Sequence, residues 1–227
     1  MKSIFSFVLL LTASLLPAQA ALISFDSIDT GWYAENGAHP VNSSNIWTGL
    51  DNKGVIRNSF FNFDVSSLGA VVISSARLLI SSNGVYRSPD LSETVQFRGV
   101  DGVPGNGFSP GIYSDLESGT LYGELDVFGT NKQAMPDVAV NLSSLSFDDI
   151  LNDNFFSIGA SLSSLAAGAQ QTLWWGIETL PSVKLIVEYD ENSVKVTEPT
   201  TAGLFGFLLV AIASIRRLSA KSTKYSL

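Results

Sequence analysis

The 227-residue chain is predicted to be all-β, a jelly-roll-like antiparallel β-sandwich with one short helix. Apolar and polar residues alternate with a period of two through much of residues 22–189, as in the segment SVKLIVEY at 182–189. The 19 glycines and 8 prolines mark frequent turns. The strand-like segments follow one another without the strand–helix alternation that is typical of a parallel sheet.

Residues 1–20 have the pattern of a secretory signal peptide, which would form an N-terminal signal helix. Lys2 gives a positive start, Ile4–Leu16 is almost continuously apolar, and Pro17–Ala20 ends the run with small residues where signal peptidase reads. The sequence therefore predicts export, cleavage by signal peptidase at the end of this segment, and a mature chain that begins at Ala21 outside the cytoplasm. The alternative is an uncleaved membrane anchor, for which the apolar run is short.

Residues 21–190 are predicted to form the β-sandwich ectodomain. Its apolar alternation and turn signals predict strands at residues 22–28, 61–65, 71–81, 95–97, 121–128, 138–142, 156–162, 173–177 and 182–189. The glycine-rich segment at 101–107 predicts a loop.

The one predicted helix begins near Ser146. The segment Ser146–Asp149 matches a capping box, in which a hydroxyl and a carboxylate satisfy free backbone N–H groups of the first turn. An alternative role for Asp148, Asp149 and Asp153 is calcium ligation through carboxylate oxygens, although their spacing matches no EF-hand loop. We favour the capping role.

Charge and cysteine content exclude several functions. Residues 21–196 carry 8 basic and 20 acidic side chains, a net charge of −12, so the chain has no basic stripe to neutralise the phosphates of a nucleic acid. The same balance disfavours adsorption to anionic lipid. The chain has no cysteine, which excludes disulfides, thiol catalysis and cysteine-based metal sites. The fold must therefore be held by packing alone.

Catalytic motifs are absent from the sequence, so we expect a protein that is not an enzyme and uses no metal or cofactor. His39 is the only histidine and is predicted to be a loop residue ahead of a proline. Two carboxylate pairs could serve as the acid and base of a glycosidase, Asp115 with Glu117 and Glu124 with Asp126. Solvated strand edges and loops are the favoured interpretation of both pairs.

The adjacent residues Trp174 and Trp175 suggest a binding surface. Neighbours in a strand face opposite sides, and Trp175 shares its parity with Leu173 and Ile177, which predicts that Trp175 is in the core. Trp174 then faces outward, where an indole could stack on a sugar ring, so it is a candidate carbohydrate contact. The competing interpretation is that a loop or the short helix covers it.

Three segments are predicted after the ectodomain: a linker with a sorting motif at residues 191–200, a transmembrane helix with an arginine cluster at 201–217, and a cytoplasmic tail at 218–227. Thr201–Ile215 is apolar apart from two residues and reaches about 22 Å as a helix, against a hydrocarbon core of about 30 Å. Arg216 and Arg217 can snorkel to lengthen the span, and they place the C-terminus inside.

The order of these tail features resembles a known sorting signal. Glu198 and Pro199, then an apolar run rich in small residues, then the pair Arg216–Arg217, are similar to the PEP-CTERM signal of Gram-negative bacteria. Thr197 stands where that signal has its first proline. The resemblance implies recognition and processing by a membrane-embedded exosortase. The alternative is a plain single-pass anchor that is never processed.

The ectodomain also resembles the carbohydrate-module-like β-sandwich domains of PEP-CTERM proteins, in the segments Phe61–Leu68, Ile73–Leu78, Asp115–Gly123 and Phe155–Gly159. The resemblance implies a secreted protein that is exported through the inner membrane, anchored in the periplasm and then sorted to the cell surface or biofilm matrix. We expect a non-enzymatic component or binder of exopolysaccharide. The alternative is an extracellular hydrolase that acts on polysaccharide.

Overall fold

The computed structural model describes residues 20–40, 44–105, 109–166, 168–176 and 183–190. These residues form a 12-stranded antiparallel sheet, two short α-helices and one 3-10 turn at Ser144–Ser146. The strands are β1 Ala20–Ala34, β2 Ile46–Leu50, β3 Ile56–Asp64, β4 Val72–Ile80, β5 Val85–Arg87, β6 Ser92–Gly99, β7 Leu121–Phe128, β8 Gln133–Ala134, β9 Val138–Leu142, β10 Phe155–Leu162, β11 Gln171–Gly176 and β12 Val183–Asp190. The helices are α1 Pro110–Ser118 and α2 Phe147–Asn152.

Strand β1 belongs to two parts of the sheet. Its first half, Ala20–Asp26, pairs with β12, and its second half, Ser27–Ala34, pairs with β3. The register shifts between Ser27 and Asp29, where an irregularity of the bulge type bends a strand and increases its twist. One strand thus changes partner without leaving the sheet.

The sheet extends in both directions from β1. Beyond β12 lie β4 and then β9. On the other side, β3 pairs with both β2 and β10; the first branch continues to β11, β5 and β8, and the second to β6 and β7. The two outer strands β7 and β9 approach each other, since the N–H of Ser143 donates to the carbonyl of Tyr122 over 2.7 Å.

Buried apolar side chains from both parts of the sheet form one core cluster. Phe63 on β3 stacks on Phe156 on β10 with ring centroids 6.4 Å apart, and Leu78 on β4 and Leu185 on β12 are fully buried in the same cluster. Because the chain has no cysteine, this shared apolar cluster is the main source of stability.

The predicted period-two pattern is confirmed in β12, where Val183, Leu185 and Val187 are buried and Lys184 and Glu188 are half-buried. Strand β3 departs from alternation, because eight of its nine residues are half-buried or buried and only its last residue, Asp64, is exposed. The reason is a second cluster in which Phe60 packs with Tyr33 of β1 and with Tyr113 of α1.

Helix α1 was not expected, so the prediction of one helix is wrong. The sequence does contain its start signal, because Ser109 is the N-cap, its Oγ accepts from the N–H of Ile112 over 3.4 Å, and Pro110 occupies the first helical position. Buried Tyr113 and Leu116 then attach the helix to the sheet.

Helix α2 lies where the one helix was predicted, but its start is not a capping box. The side chain of Ser146 makes no cap hydrogen bond and instead donates to the carbonyl of Ser143 over 2.8 Å. The carboxylate of Asp149 accepts a hydrogen bond from the hydroxyl of Tyr122. Asp148 and Asp149 in the first turn still complement the helix dipole.

Several predicted segments lie outside the described residues. These are residues 1–19 of the signal peptide, the linker at 191–200, the transmembrane helix and arginine cluster at 201–217, and the tail at 218–227. No helix within the described ranges is long and apolar enough to cross a membrane.

Gly49 gives a test of the β2–β11 contact. Its φ is +109°, and a Cβ there would lie 2.1 Å from the carbonyl oxygen of Gln171 and 2.6 Å from Cδ1 of Leu162. We expect Gly49→Ala to lower the free energy of unfolding by about 3 kcal/mol or more, because backbone strain adds to a clash with main chain. Urea denaturation followed by circular dichroism measures the loss.

Gly54 is the matched control. Its φ is +79°, but a Cβ there meets nothing within 4 Å, so Gly54→Ala should cost only the backbone strain of about 1 kcal/mol. Equal losses in the two variants would show that the close approach at Gly49 does not matter.

Candidate functional site

Two tryptophans meet on neighbouring strands. Trp174 on β11 is directly opposite Trp47 on β2 in the antiparallel register, with ring centroids 6.5 Å apart and planes inclined by 34°. Both are half-buried, whereas Trp175 and Leu173 are fully buried in the core. The predicted parity of the Trp174–Trp175 pair is therefore confirmed, and the cross-strand partner of Trp174 is a second indole.

Arg57 connects this pair to a third indole. Its guanidinium carbon lies 4.2 Å from the ring centroid of Trp47 and 4.7 Å from that of Trp32, and the two rings meet edge to face at 6.1 Å. Cation–π contacts at this distance are favourable, most of all with tryptophan. Trp32, Trp47, Arg57 and Trp174 thus form one continuous set, which we call the tryptophan–arginine cluster.

Asp51 neutralises and orients Arg57. The two side chains form an ion pair of 2.5 Å and are largely buried, with 12% of Arg57 and 3% of Asp51 exposed. The other oxygen of Asp51 accepts from the N–H groups of Lys53 and Val55 at 2.8 and 2.9 Å. Burial of Asp51 opposes ionisation, but the Val55 N–H, the guanidinium and the Lys53 N–H outweigh it and lower the pKa of the carboxyl.

A small pocket of about 140 Å³ opens beside the cluster, lined by Trp47, Arg87, Thr172 and Trp174. We call it the indole pocket. The hydroxyl of Thr172 donates to the carbonyl of Leu50 over 2.7 Å, so it is already used within the fold. The indole N–H groups of Trp47 and Trp174 are shielded from solvent and have no hydrogen-bond partner among the described residues. The pocket therefore offers a ligand the apolar surface of two indole rings and the cationic side chain of Arg87.

A larger polar cleft of about 780 Å³ lies elsewhere in the fold, between α1, α2 and the ends of β6, β7 and β10. Four aspartates line it, Asp101, Asp115, Asp149 and Asp153. We call it the acidic cleft. Asp115 accepts from the N–H of Asp101 over 2.7 Å, and Asp149 accepts from the hydroxyl of Tyr122.

Within the acidic cleft, the hydroxyl of Tyr122 donates a hydrogen bond to Asp149. Burial of its hydroxyl is the largest cause of a raised pKa, and the hydrogen bond to Asp149 and the charge of that carboxylate raise it further. Tyr122 therefore stays protonated at neutral pH and holds Asp149 by donating to it.

The first predicted carboxylate pair, Asp115 with Glu117, lies on helix α1 and not on a strand edge or loop, whereas Glu124 and Asp126 lie on the exposed face of β7. Asp115 faces the acidic cleft, but Glu117 does not line it and accepts from the side-chain amide of Asn58 at 3.2 Å. The other pair forms cross-strand hydrogen bonds between β6 and β7, with Gln96 donating to Glu124 and Thr94 donating to Asp126, both at 2.6 Å. Neither pair is brought together in one cavity.

Metal-binding geometry is not found in the described ranges, where no group of three or more histidine, aspartate or glutamate side chains comes close enough to hold an ion. The calcium alternative for Asp148, Asp149 and Asp153 therefore has no support from the described residues.

His39 lies in the segment after β1, as predicted for a loop residue. Its Nδ1 donates to the carbonyl of Trp32 over 2.8 Å, and its ring stacks on Tyr33 with centroids 4.7 Å apart. The ring of His39 thus packs against Tyr33 and Phe60, two members of the second apolar cluster. The predicted sorting residues Glu198, Pro199, Arg216 and Arg217 lie outside the described residues.

Sequence reasoning identified Trp174 but missed its partners. Trp32, Trp47, Arg57 and Arg87 lie on four different strands, β1, β2, β3 and β5, and no local spacing relates them. The available signal was composition: of 4 tryptophans, only Trp175 has the parity of a core residue in a predicted strand. The other three converge through the pairing of β1, β2, β3 and β11.

No protein-family model matches the chain, and no curated protein matches it. Among solved structures, it is 12% identical to a glycoside hydrolase family 43 arabinoxylan arabinofuranohydrolase from Bacillus subtilis in complex with cellotetraose, with a TM-score of 0.28 over 76% of this chain and 26% of that one. It is 12% identical to the K1 cleaved adhesin domain of Lys-gingipain from Porphyromonas gingivalis, with a TM-score of 0.25 over 77% and 90%.

A third similar structure holds the CBM22-1 and GH10 modules of endo-1,4-beta-D-xylanase 10B from Clostridium thermocellum, complexed with xylohexaose. The identity is 9% and the TM-score 0.24, over 75% of this chain and 28% of that one. The chain thus spans about a quarter of the length of both hydrolases. These similarities identify no family for it.

The Asp51–Arg57 pair gives a pH-dependent prediction. The folded-state pKa of Asp51 lies below its usual value of 3.8, so its stabilisation is present above that pH and is lost as the pH falls through the folded-state pKa. We expect Asp51→Asn to lower the free energy of unfolding by about 2–3 kcal/mol at pH 7. The difference from wild type should shrink below about pH 4, as measured by urea denaturation at each pH.

Asp26→Asn is the control for this experiment. It removes an ion pair of 2.6 Å with Lys184, whose side chain is 42% exposed while that of Asp26 is 76% exposed. Exposed pairs contribute about 0–1 kcal/mol, so little change is expected at any pH. If the free energies of unfolding of Asp51→Asn and wild type differ by the same amount at pH 3 and pH 7, the Asp51 carboxylate is not the source of the pH-dependent stability.

Proposed function

We propose that the chain is an exported, non-enzymatic protein that binds polysaccharide of the extracellular matrix through the indole pocket. One observation carries this proposal: Trp47 and Trp174 lie side by side on adjacent strands and line an open pocket. We further propose that the two parts of the sheet joined by β1 form a jelly-roll-like sandwich, with the pocket on the branch that contains β2 and β11.

Indole pairs suit carbohydrate because one face of a sugar ring carries C–H groups, which pack on an aromatic ring while the hydroxyls remain hydrated. The position of the pair is fixed before binding. The strand register holds the two rings, and Arg57, itself held by Asp51, packs against Trp47. A rigid platform loses little conformational entropy when a ligand binds, which favours affinity.

The indole pocket has no chemistry for hydrolysis. Glycoside hydrolysis needs two carboxyl groups on either side of the scissile bond, and none of the four lining residues is acidic. Asp51, the carboxylate of the adjacent cluster, is fully used by Arg57 and two backbone N–H groups. Binding without turnover is therefore the activity that this pocket supports.

A polysaccharide hydrolase is the second candidate function, and the acidic cleft favours it. Its volume would admit sugar units, and four aspartates line it. We prefer the binding role because Asp115 and Asp149 both accept hydrogen bonds from within the domain, at the N–H of Asp101 and the hydroxyl of Tyr122. The bond to Asp149, in the first turn of α2, is one that helix-start carboxylates form for structural reasons, and the bond from Asp101 ties the segment after β6 to Asp115 on α1.

Export and sorting complete the proposal. The signal-peptide pattern supports transfer across the inner membrane, with signal peptidase as the first partner. The ordered motif at Glu198 and Pro199, the apolar run and the arginine pair support membrane retention and processing by an exosortase-type enzyme. The final location is then the cell surface or the exopolysaccharide matrix of a biofilm.

Trp174→Ala tests the pocket. We expect affinity for a bound polysaccharide to fall about tenfold, equivalent to about 1.4 kcal/mol, because one of two stacking rings is lost. Trp174→Phe keeps a ring and removes an indole N–H that has no partner among the described residues, so it should retain most of the affinity. Isothermal calorimetry of the purified full-length chain in detergent, against xylan, cello-oligosaccharides and polygalacturonate, measures both effects.

Phe128→Ala is the matched control, because this aromatic residue on β7 is 68% exposed and lines neither the indole pocket nor the acidic cleft. Its binding should equal that of wild type. Binding that survives Trp174→Ala unchanged, with melting temperature preserved, would overturn the proposal. Release of reducing ends from any of these glycans, abolished by Asp115→Asn, would replace it with the hydrolase.

Glu198→Ala tests the sorting signal. In a host with an exosortase, we expect the variant to stay at full length in the inner membrane, while the wild-type protein appears shortened in outer fractions. Truncation after Val196 should release a soluble, folded protein, because the last described strand ends at Asp190. Cell fractionation and immunoblotting measure both outcomes, and equal processing of Glu198→Ala and wild type would leave a plain membrane anchor.

A further inference from the structure

Arg87 is the one cationic residue that lines the indole pocket. It ends the short strand β5 and lies opposite Thr172 on β11, while Val85 of the same strand lies opposite Trp174. Its side chain is exposed. The antiparallel register therefore places Arg87 beside the pair of indoles, on the strand next to Trp174.

The two arginines near the indoles differ in their partners. Arg57 is packed against Trp32 and Trp47 and forms an ion pair with Asp51. Arg87, by contrast, has no ion-pair partner among the described residues. The charge of Arg57 is satisfied within the fold, whereas that of Arg87 is open to a ligand.

The acidic residues that follow Arg87 in sequence are used elsewhere. Asp90 accepts from the side-chain amide of Gln171 over 2.9 Å. Glu93 is fully buried and accepts from the hydroxyls of Ser88 and Ser164 and from the same amide. Neither carboxylate pairs with Arg87, so the fold leaves a positive charge at the pocket of an acidic protein, whose formal net charge is −8.

We propose that the ligand of the indole pocket is an acidic polysaccharide built from uronic acid units, an inference that rests on the proposed function. A guanidinium presents a planar fork of donors that matches a carboxylate bidentately. In a uronic acid the carboxylate is attached directly to the sugar ring, so one unit can place its C–H face on Trp174 and its charge at Arg87. A neutral sugar would use only the first contact.

The acidic charge of the rest of the domain increases specificity. A polyanion is repelled by most of this surface, so simple charge attraction does not support binding at random positions. Attraction at Arg87 combined with stacking on two indoles selects a ligand that has both a carboxylate and a sugar ring. Salt should weaken this binding only partly, because screening affects the ion pair and not the stacking.

Arg87→Gln, combined with methyl esterification of the ligand, isolates the proposed contact. The full-length chain in detergent is titrated with oligogalacturonate and with its methyl ester, which keeps the sugar and removes the charge. We expect Arg87→Gln to weaken oligogalacturonate binding about tenfold, as for loss of one charge-assisted bidentate pair, and to leave ester binding unchanged. Esterification should cost wild type about the same factor and the variant nothing, which is the signature of a direct interaction in a double-mutant cycle.

Arg77→Gln is the control variant, since Arg77 is an exposed arginine on β4, in the other part of the sheet. It should leave both titrations unchanged. Polyglutamate, a polyanion without sugar rings, should bind at least tenfold more weakly than oligogalacturonate. Equal binding of polyglutamate, or equal losses from Arg77→Gln and Arg87→Gln, would overturn the uronic acid proposal in favour of unspecific charge attraction.

The neutral glycans separate the two proposals. If wild type binds the free acid and the ester equally, and loses both on Trp174→Ala, the indole pocket binds carbohydrate but the uronic acid inference is wrong. If cello-oligosaccharides, xylan and both forms of galacturonate all fail to bind, the proposed function itself is wrong. If Arg87→Gln weakens binding of oligogalacturonate but not of its methyl ester, both proposals are supported.

Discussion

The change of partner along β1 is the constraint on which the rest of this fold depends. The strand pairs with β12 over its first half and with β3 over its second, so one continuous backbone fixes the position of both parts of the sheet. With no cysteine in the chain, the apolar cluster shared by these parts must hold the fold, and its fully buried aromatic residues include Phe61 and Phe63 on β3, Phe156 on β10 and Trp175 on β11. The irregularity between Ser27 and Asp29 marks where the strand passes from one part to the other.

The indole pocket follows from this arrangement. Strand β3 pairs with β1 on one side and with β2 on the other, which brings Trp32 and Trp47 to either side of Arg57. The next pairing, β2 with β11, places Trp174 opposite Trp47. A register slip of one residue in either pairing would turn an indole to the other face of the sheet. The close approach at Gly49, which excludes any side chain, is part of what fixes the β2–β11 register.

Local sequence patterns predicted those features of the structure that are determined by residues close together in the chain. The alternation in β12 and the opposite orientations of Trp174 and Trp175 follow from strand geometry, and both were predictable. Helix α1 was equally encoded by Ser109 and Pro110, but this start signal directly follows the glycine-rich segment 101–107, and only that loop was predicted. Short strands such as β5, with three residues, carry too little periodicity to be recognised. The cluster around Arg57 could not be predicted, because its members meet only through the pairing register of β1, β2, β3 and β11, which no local spacing reveals.

Two arginines of the same chemical type thus have different roles because of their surroundings. Arg57 is enclosed by Trp32, Trp47 and Asp51, so its charge is satisfied and its contribution is to hold aromatic rings in place. Arg87 sits on a three-residue strand with its side chain in solvent, so its contribution is a charge available to a ligand. In the proposed function, the first arginine provides rigidity and the second provides selectivity. Most of the order needed for binding would therefore be established when the protein folds, and only the exposed guanidinium would need to adjust to the ligand.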